Sequence, residues 1–244
     1  MNRNSMKKVA ICIPHSYLAF NKSFTISLLS LVSRFYTWNT KFKYELTIIV
    51  QNEGWIDTMR NLLVMQALDA GADYLLFLDT DMTFPEDTIV RMLKHFEEVD
   101  DLEAVTGLYT WKKPPFLPHV YHKLNKKTGK FKIAGGFPID KPFIVEGCGF
   151  GVVMVKREVF ERVPKPWFKM EMDKDDRVEY GEDLYFCKYA RMKMWCDPNI
   201  NCQHLIENGY DASSFVQYNG IEVKDGFLQT TKEQLKKIEE EHKG

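Results

Sequence analysis

The feature that most constrains the fold is an alternation of short apolar runs with longer segments of helical periodicity in the N-terminal part of the chain. Three apolar runs predict buried β-strands: Val9–Ile13, Leu46–Val50 and Tyr74–Leu78. The spacing of apolar residues after each run predicts a helix, over Ser23–Phe35, Asp57–Ala70 and Pro85–Phe96. Such strand–helix–strand units join through right-handed crossovers, so we expect an α/β fold with a mainly parallel, Rossmann-like sheet.

The rest of the chain is less regular but continues the same domain. Further strands are predicted at Ala104–Tyr109 and Phe150–Val155, and a β-hairpin insertion is predicted from the runs that flank residues 125–129. Helices are predicted at Arg157–Arg162, Glu182–Met192 and Thr231–Lys243. We therefore expect a single domain over residues 1–210, with halves at about 1–103 and 104–210, followed by a C-terminal extension with a helix over 211–244.

Composition narrows the class of protein. A formal net charge of −1 argues against a chain that is attracted as a whole to nucleic acid or anionic membranes. The odd number of cysteines, five, argues against a fully paired disulfide framework and favours a reducing cytoplasm. Phe24–Val32 is too short and too polar for the roughly 20 residues of a membrane span, so we expect a soluble protein.

Two acids separated by one residue follow the third predicted strand. Asp79 and Asp81 flank Thr80, and alternate residues of an extended backbone share a face, so the two carboxylates converge. Parallel α/β sheets bind ligands at the carboxyl ends of their strands. Carboxylates together with phosphate oxygens commonly hold Mg²⁺-type cations, so the pair predicts a metal site. The alternative is two acids solvated in a turn.

Two further signals lie later in the chain. Glu182 and Asp183 follow Gly181 at the start of a predicted helix, where the helix N-terminus stabilises a carboxylate. His204 lies beyond a short predicted strand, Trp195–Asp197, near the end of the domain. Each has an ordinary explanation by itself, because acids cap helices and a lone histidine is usually structural.

Taken in order, these and several other short motifs resemble one enzyme family. The motifs are Arg60-Asn61, Gly71–Met82, Gly147–Gly151, Arg157–Phe160, Pro166–Phe168, Gly181–Asp183 and His204. The set resembles the GT-A nucleotide-sugar glycosyltransferases, most closely the small family-2-like inverting enzymes of bacteria and their phages. The resemblance covers most of the chain, from about Val9 to His204.

The resemblance implies a role for each matching position around the metal. Asp81 would bind Mn²⁺ or Mg²⁺, Asp79 would hold the ribose or a metal-bound water beside Thr80, and His204 would complete the metal shell. Asp183 would take the proton from the acceptor hydroxyl, and Glu182 would contact acceptor or donor hydroxyls. Either of these two acids could be the base.

The resemblance also implies a binding site for the donor, by default a UDP-sugar. His15 and Asn52, past the first two strands, would line the nucleotide pocket. Arg60 would reach the diphosphate or, alternatively, form an interior salt bridge. Gly147 and Gly149 would let the backbone approach the donor sugar, unless they only form a tight turn.

The acceptor is suggested only by a basic segment, Lys112–Lys132, in which lysines alternate with aromatic residues. Such a segment could grip a phosphate backbone and stack a base, which would make a hydroxymethylated base in phage-type DNA an acceptor. A lysine-protected hairpin edge is the alternative, and a glycan, lipid-linked or protein acceptor is at least as compatible. Trp111 and Trp167 are candidate acceptor platforms or core residues. The sequence leaves the oligomeric state open.

Two rival functions use the same residues. The stretch Asp79–Thr83 also fits the nucleophile motif of haloacid-dehalogenase-like phosphatases, in which Asp79 would attack phosphorus. That motif usually follows the first strand of the fold, whereas here two strand–helix units precede it. A non-catalytic module that only binds a nucleotide-sugar or glycan is the second rival, and the presence of every expected acid argues against it.

Overall fold

A computed structural model of the chain describes residues 6–15, 20–41, 43–125, 130–205, 209–210, 215–216, 221–224 and 227–241. Its N-terminal part has the predicted alternation of strands and helices. The elements are β1 (Lys7–Pro14), α1 (Lys22–Trp38), β2 (Tyr44–Gln51), α2 (Ile56–Asp69), β3 (Tyr74–Leu78), β4 (Met82–Thr83) and α3 (Thr88–Glu98). Helix α3 begins after the predicted Pro85, because Pro85 accepts hydrogen bonds from Thr88 in a turn that precedes the helix.

The second half adds further strands and helices. It continues with β5 (Ala104–Leu108), β6 (Val120–Leu124), β7 (Phe131–Ile133), β8 (Phe143–Val145), β9 (Gly147–Cys148), β10 (Val152–Lys156), α4 (Arg157–Arg162), β11 (Glu171–Met172) and β12 (Val178–Tyr180). The last elements are α5 (Glu182–Ala190), β13 (Met194–Asn201), β14 (Gln203–Leu205), β15 (Gly209–Tyr210), β16 (Glu222–Lys224), β17 (Phe227–Gln229) and α6 (Lys232–Glu241). The expected hairpin insertion is β6–β7, and the expected C-terminal helix is α6.

The central sheet has seven strands in the order β2-β1-β3-β10-β5-β13-β8. Strands β2, β1, β3, β5 and β13 run in one direction, whereas β10 and β8 run in the other. The prediction of an α/β, Rossmann-like domain with a mainly parallel sheet is confirmed. Strand β10 lies between β3 and β5, so the sheet joins the two predicted halves. The boundary near residue 210 stays a prediction.

The two faces of the sheet carry separate hydrophobic clusters. Side chains of a strand alternate between faces, and in β3 Leu75 and Phe77 enter one cluster while Leu76 and Leu78 enter the other. Helices α2, α4 and α5 contribute to the first cluster, and α1 and α3 to the second. The sheet is therefore covered by helices on both faces, which leaves the carboxyl ends of its strands as the edge open to ligands.

In the described part of the chain, no helix is both long enough and apolar enough to cross a membrane. The five cysteines are all buried as free thiols.

Candidate active site

Asp79 and Asp81 lie in the turn that follows β3, at the carboxyl edge of the sheet. The amide of Asp79 donates to the carbonyl of Gly151 at 3.0 Å, and the amide of Met82 donates back to the carbonyl of Asp79 at 3.2 Å. These bonds hold the turn between β3 and the segment that leads into β10. Both carboxylates are partly exposed, as a site open to ligands requires.

Strand pairing brings His204 to Asp81. Strand β14 pairs antiparallel with β4, with His204 opposite Met82, and the amide of Leu205 donates to the carbonyl of Asp81. The Nδ1 of His204 is 2.9 Å from the carbonyl oxygen of Thr110, so Nδ1 carries a proton and donates it. The other ring nitrogen, Nε2, faces Asp81 Oδ2 at 3.6 Å.

The same carboxylate oxygen of Asp81 also accepts from the ammonium of Lys112. Burial opposes ionisation of Asp81, but the nearby His204 ring and the hydrogen bond from Lys112 outweigh it and hold the pKa of Asp81 below its ordinary value. The basic segment thus begins with a lysine that pairs with an active-site acid. The sequence signal, a lysine shortly after the end of β5, is too common to reveal this.

Arg60 connects the turn after β3 to the start of α5. Its guanidinium is buried, with 3% of the side chain exposed, and its Nη2 donates to both oxygens of Asp79 at 3.1 and 3.0 Å. Its Nη1 donates to Glu182, which is also buried. Burial raises the pKa of Asp79 above its ordinary value even though Arg60 opposes the change. Of the two roles that the sequence allowed, Arg60 has the interior salt bridge in this structure.

Glu182 and Asp183 begin α5, as predicted, but have different surroundings. Glu182 is committed to Arg60 in the protein interior, whereas Asp183 borders a large cavity. Burial and the neighbouring charge of Glu182 raise the pKa of Asp183 to about 7, although Arg60 and the amide of Leu184 favour its charged form. A carboxyl group with a pKa near neutrality can accept and release a proton at physiological pH.

Three aromatic side chains, those of Tyr109, His119 and His204, pack against one another near the turn after β3 and this cavity. The hydroxyl of Tyr109 accepts the amide proton of Gly151 at 2.9 Å, and His119 stacks on Tyr109 with ring centroids 4.9 Å apart. The ring of His204 meets Tyr109 edge-on at 5.6 Å. Burial and the nearby His204 lower the pKa of His119 to about 3, so this ring is neutral. The sequence analysis assigned no role to Tyr109 or His119.

The cavity beside Asp183 has a volume of about 930 Å³, and we call it the Asp183 cavity. Its walls come from hairpin β6–β7, strand β12, the start of α5, and helix α6. Trp111 lines it and also packs against the first hydrophobic cluster, so its role as an acceptor platform stays a prediction. Trp167 does not line the cavity, because it is buried and its indole N–H donates to the carbonyls of Phe160 and Val163, so Trp167 is a core residue.

Three further predicted positions, His15, Asn52 and Thr80, differ in how far they are buried. His15 is mostly buried beside Phe20, with ring centroids 4.4 Å apart, and Asn52 is exposed just past the end of β2. Thr80 is half-buried between the two acids.

The two predicted glycines have close neighbours within the protein. A Cβ added at Gly149 would come within 2.2 Å of the hydroxyl of Tyr109, and one at Gly147 within 2.7 Å of Phe131. The structure therefore gives each glycine a packing reason: an aromatic ring occupies the space beside it.

Two lysines of the basic segment, Lys126 and Lys127, lie outside the described residues, so the part of the DNA hypothesis that depends on them stays a prediction. The described lysines of the hairpin, Lys123, Lys130 and Lys132, are exposed. The last two lie at the rim of the Asp183 cavity.

The predicted metal ligands are only partly brought together. Asp81 and His204 face each other, whereas Asp79 is held by Arg60. Among the described residues, no group of three or more His, Cys, Asp or Glu side chains is already arranged to hold a metal ion.

Comparisons with known proteins give a likeness of fold. No protein-family model and no curated protein matches the chain. Among solved structures, the chain is similar to A197 from STIV, with a TM-score of 0.55 and 22% sequence identity. The match covers 82% of this chain and 86% of A197, so the shared fold extends over most of both proteins.

Proposed function

We propose that the chain is a metal-dependent inverting glycosyltransferase that moves a sugar from a nucleoside diphosphate, UDP in the default case, to an acceptor hydroxyl. The observation that carries the proposal is the position of Asp183. This carboxyl group, with a pKa of about 7, lines a cavity large enough for an acceptor, and its charge interacts with those of Arg60 and Asp79. An acceptor in the cavity would therefore lie next to the group that takes its proton.

The donor set at the turn after β3 fits a divalent cation. The Nδ1 proton of His204 is donated to Thr110, so in the neutral ring the lone pair of Nε2 faces Asp81. The Asp79 oxygens accept from Arg60 but keep further lone pairs, because a carboxylate offers about four acceptor sites. Asp79, Asp81 and His204 would hold Mn²⁺ or Mg²⁺, and such an ion supplies Lewis-acid stabilisation of a leaving diphosphate.

Asp183 would act as the general base. The acceptor hydroxyl gives its proton to the Asp183 carboxylate while its oxygen bonds to the anomeric carbon. The bond from that carbon to the diphosphate breaks on the opposite face, and the electron pair leaves with the diphosphate. Lys112, which already carries positive charge to this edge, would help to neutralise the departing group.

The position of the motif in the fold disfavours the phosphatase alternative. Asp79 follows β3, the third strand along the chain, whereas the nucleophile motif of those phosphatases usually follows the first strand.

The first test is a thermal-shift panel of UDP-, GDP- and dTDP-sugars with Mn²⁺, with EDTA, and in Asp81→Asn. We expect one donor class to stabilise the wild type in Mn²⁺, because a ligand that binds only the folded state raises its stability. EDTA and Asp81→Asn should each abolish the shift, while the exposed control Asp175→Asn should keep it. Absence of any donor-dependent shift would contradict the transferase, and phosphate release from p-nitrophenyl phosphate that Asp79→Asn abolishes would support the phosphatase instead.

A further inference from the structure

The interior of the Asp183 cavity is mainly apolar and aromatic. The most deeply buried of its lining side chains are Leu117, Tyr121, Tyr180, Phe215 and Ile238. Phe131 adds a ring that packs on Tyr121 and Tyr180, with centroids 5.8 and 6.0 Å away. The volume of about 930 Å³ is at the upper end of the range for ligand cavities, so the apolar surface on offer is large.

Most of the charged lining residues other than Asp183 lie toward the outside of the cavity. Lys130, Lys132, Arg177 and Glu179 are exposed, and the carboxylate of the half-buried Asp173 accepts the backbone amides of Asp175 and Arg177. Further in, the titratable lining groups beside the two buried tyrosines are Asp183 and the neutral ring of His119. A glycan in this space would bury many hydroxyl groups, and a flipped base would bury its polar edge, each with few partners. Burying polar groups without hydrogen bonds is unfavourable.

Helix α6 closes one side of the cavity with apolar side chains. Leu235 and Ile238 line it, and Ile238 is buried. The helix packs tightly on the opposite wall, since a Cβ added at Gly135 would come within 2.3 Å of Leu235. The C-terminal segment therefore completes an apolar compartment next to the proposed base.

We infer that the acceptor is an amphipathic small molecule whose hydroxyl-bearing head lies at Asp183 and whose alkyl or aromatic body fills the Asp183 cavity. The inference rests on the proposed function, because it takes Asp183 as the group that receives the hydroxyl proton. It favours a lipid-like or aromatic alcohol over the polar glycans and DNA bases that the sequence left open.

The test measures binding of hexyl, heptyl and octyl β-D-glucoside, each below its micellar concentration, by isothermal titration calorimetry. The head group is constant, so differences report burial of the alkyl chain. We expect each added CH₂ to tighten binding about 4-fold, which corresponds to about 0.8 kcal/mol. Equal affinity along the series, or binding of glucose and maltotriose as tight as that of octyl glucoside, would overturn the inference.

A pair of matched variants locates the binding site. Val178 lines the cavity yet is 58% exposed, so Val178→Asp should fold normally. We expect it to weaken octyl glucoside binding at least 10-fold and to flatten the dependence on chain length. Ile48→Asp is the control, since Ile48 is 46% exposed in β2, an edge strand of the central sheet, and does not line the cavity. Equal effects of the two variants would also overturn the inference.

A thermal-shift measurement with nucleotide-sugar and Mn²⁺ distinguishes failure of this inference from failure of the proposed function. A normal donor shift without chain-length-dependent binding rejects the amphipathic acceptor alone. Absence of any donor shift rejects the transferase, whatever the glucosides do.

Discussion

At the scale of single residues, the adjacent acids Glu182 and Asp183 at the start of α5 have different chemical surroundings. Successive residues of a helix point about 100° apart, so Glu182 reaches inward to Arg60 while Asp183 faces the cavity. The sequence predicted both as candidates for the base and could not choose. Only the position of Arg60, far away in the chain, distinguishes them.

The first prediction concerns the proposed base. Asp183→Asn should lower kcat by about 10²–10⁴-fold and leave donor binding unchanged, because general base catalysis contributes on this order. A carboxyl group with a pKa of about 7 is protonated below that pH and cannot accept a proton. The wild-type rate should therefore rise with pH and level off above about 7, as measured in a pH–rate profile.

Two variants control this experiment. Asp175→Asn changes an exposed acid near the cavity and should leave the profile unaltered. Glu182→Gln should lose stability and keep the inflection but move it to lower pH, because the charge of Glu182 helps to raise the pKa of Asp183. If Glu182→Gln removed the inflection and Asp183→Asn kept it, the assignment of the base would be reversed.

The second prediction concerns the buried arginine. Arg60→Met leaves the buried Glu182 and the partly buried Asp79 without their counter-charge. Breaking a buried ion pair on one side typically costs about 3–5 kcal/mol, and we expect a loss of that order in urea-induced unfolding. Arg91→Met is the matched control, since Arg91 pairs with Asp87 on the surface and should cost less than about 1 kcal/mol. If Arg60→Met lost no more free energy of unfolding than Arg91→Met, the ion pairs of Arg60 would not be important for stability.

At the scale of elements, the site is assembled where short segments meet the central sheet. Strand β14 pairs with β4 and so delivers His204 to the turn after β3, and the segment from Gly149 to Gly151 packs against Tyr109 at the end of β5. The sequence predicted the long strands well, because each is a continuous apolar run. It missed the two-residue strands β4 and β9, since a run of two residues has no periodicity to detect.

Strand β13 shows why some elements cannot be read from local sequence. Only Trp195–Asp197 was predicted as strand, but the element extends to Asn201 through Pro198. Its pairing with β5 shifts register between Asp197 and Asn201, which is where the proline lies. Proline is disfavoured within a sheet except at such irregularities, so tertiary pairing overrides the local signal here.

The third prediction tests the packing of Tyr109 on the segment before β10. Gly149→Ala places a methyl group 2.2 Å from the Tyr109 hydroxyl, so the ring must move, and overpacking of this kind costs about 1–3 kcal/mol. Tyr109→Phe removes the colliding oxygen, so the double variant should be more stable than the sum of the two single changes predicts. Urea unfolding of the four proteins measures this coupling.

Gly71→Ala is the control for that cycle. Gly71 follows α2 with a φ of +74°, and an added Cβ would meet nothing within 4 Å. The change should cost about 1–2 kcal/mol through the backbone alone. It should be additive with Tyr109→Phe, and coupling as strong as that of Gly149→Ala would contradict the packing argument.

At the scale of the whole molecule, the site holds a carboxyl group in an environment that opposes its charge. The pKa of Asp183 is about 7 in the folded protein, and an unfolded aspartate has a pKa of about 3.9. Between these values the folded state holds a proton that the unfolded chain releases. The contribution of Asp183 to stability therefore falls as pH rises from about 4 to about 7 and stays low above that range.

The fourth prediction follows from this linkage. Asp183→Asn should become more stable relative to the wild type between pH 4.5 and pH 8, because asparagine does not titrate. Urea unfolding at the two pH values measures the change, and Asp175→Asn serves as the exposed control. If Asp183→Asn and the wild type differed in free energy of unfolding by the same amount at both pH values, folding would not raise the pKa of Asp183.

The sequence alone determined the class of fold and the positions that carry acids at its carboxyl edge. Apolar runs and helical spacing are local properties, and parallel crossovers follow from chirality, so the order of the first three strand–helix units could be predicted. The acids Asp79 and Asp81 could be placed because they directly follow a predicted strand. These inferences need only neighbours in the chain.

Only the tertiary structure determined which charged side chains form ion pairs with each other. Arg60 joins residues 19 and 122 positions away, and Lys112 reaches Asp81 from a separate loop. The apolar Asp183 cavity is likewise enclosed by segments as distant as hairpin β6–β7 and helix α6. Such contacts depend on how the sheet and the loops at its carboxyl edge are arranged in space. Burial in that arrangement then shifts the pKa values of the acids. No local pattern of residues encodes that arrangement.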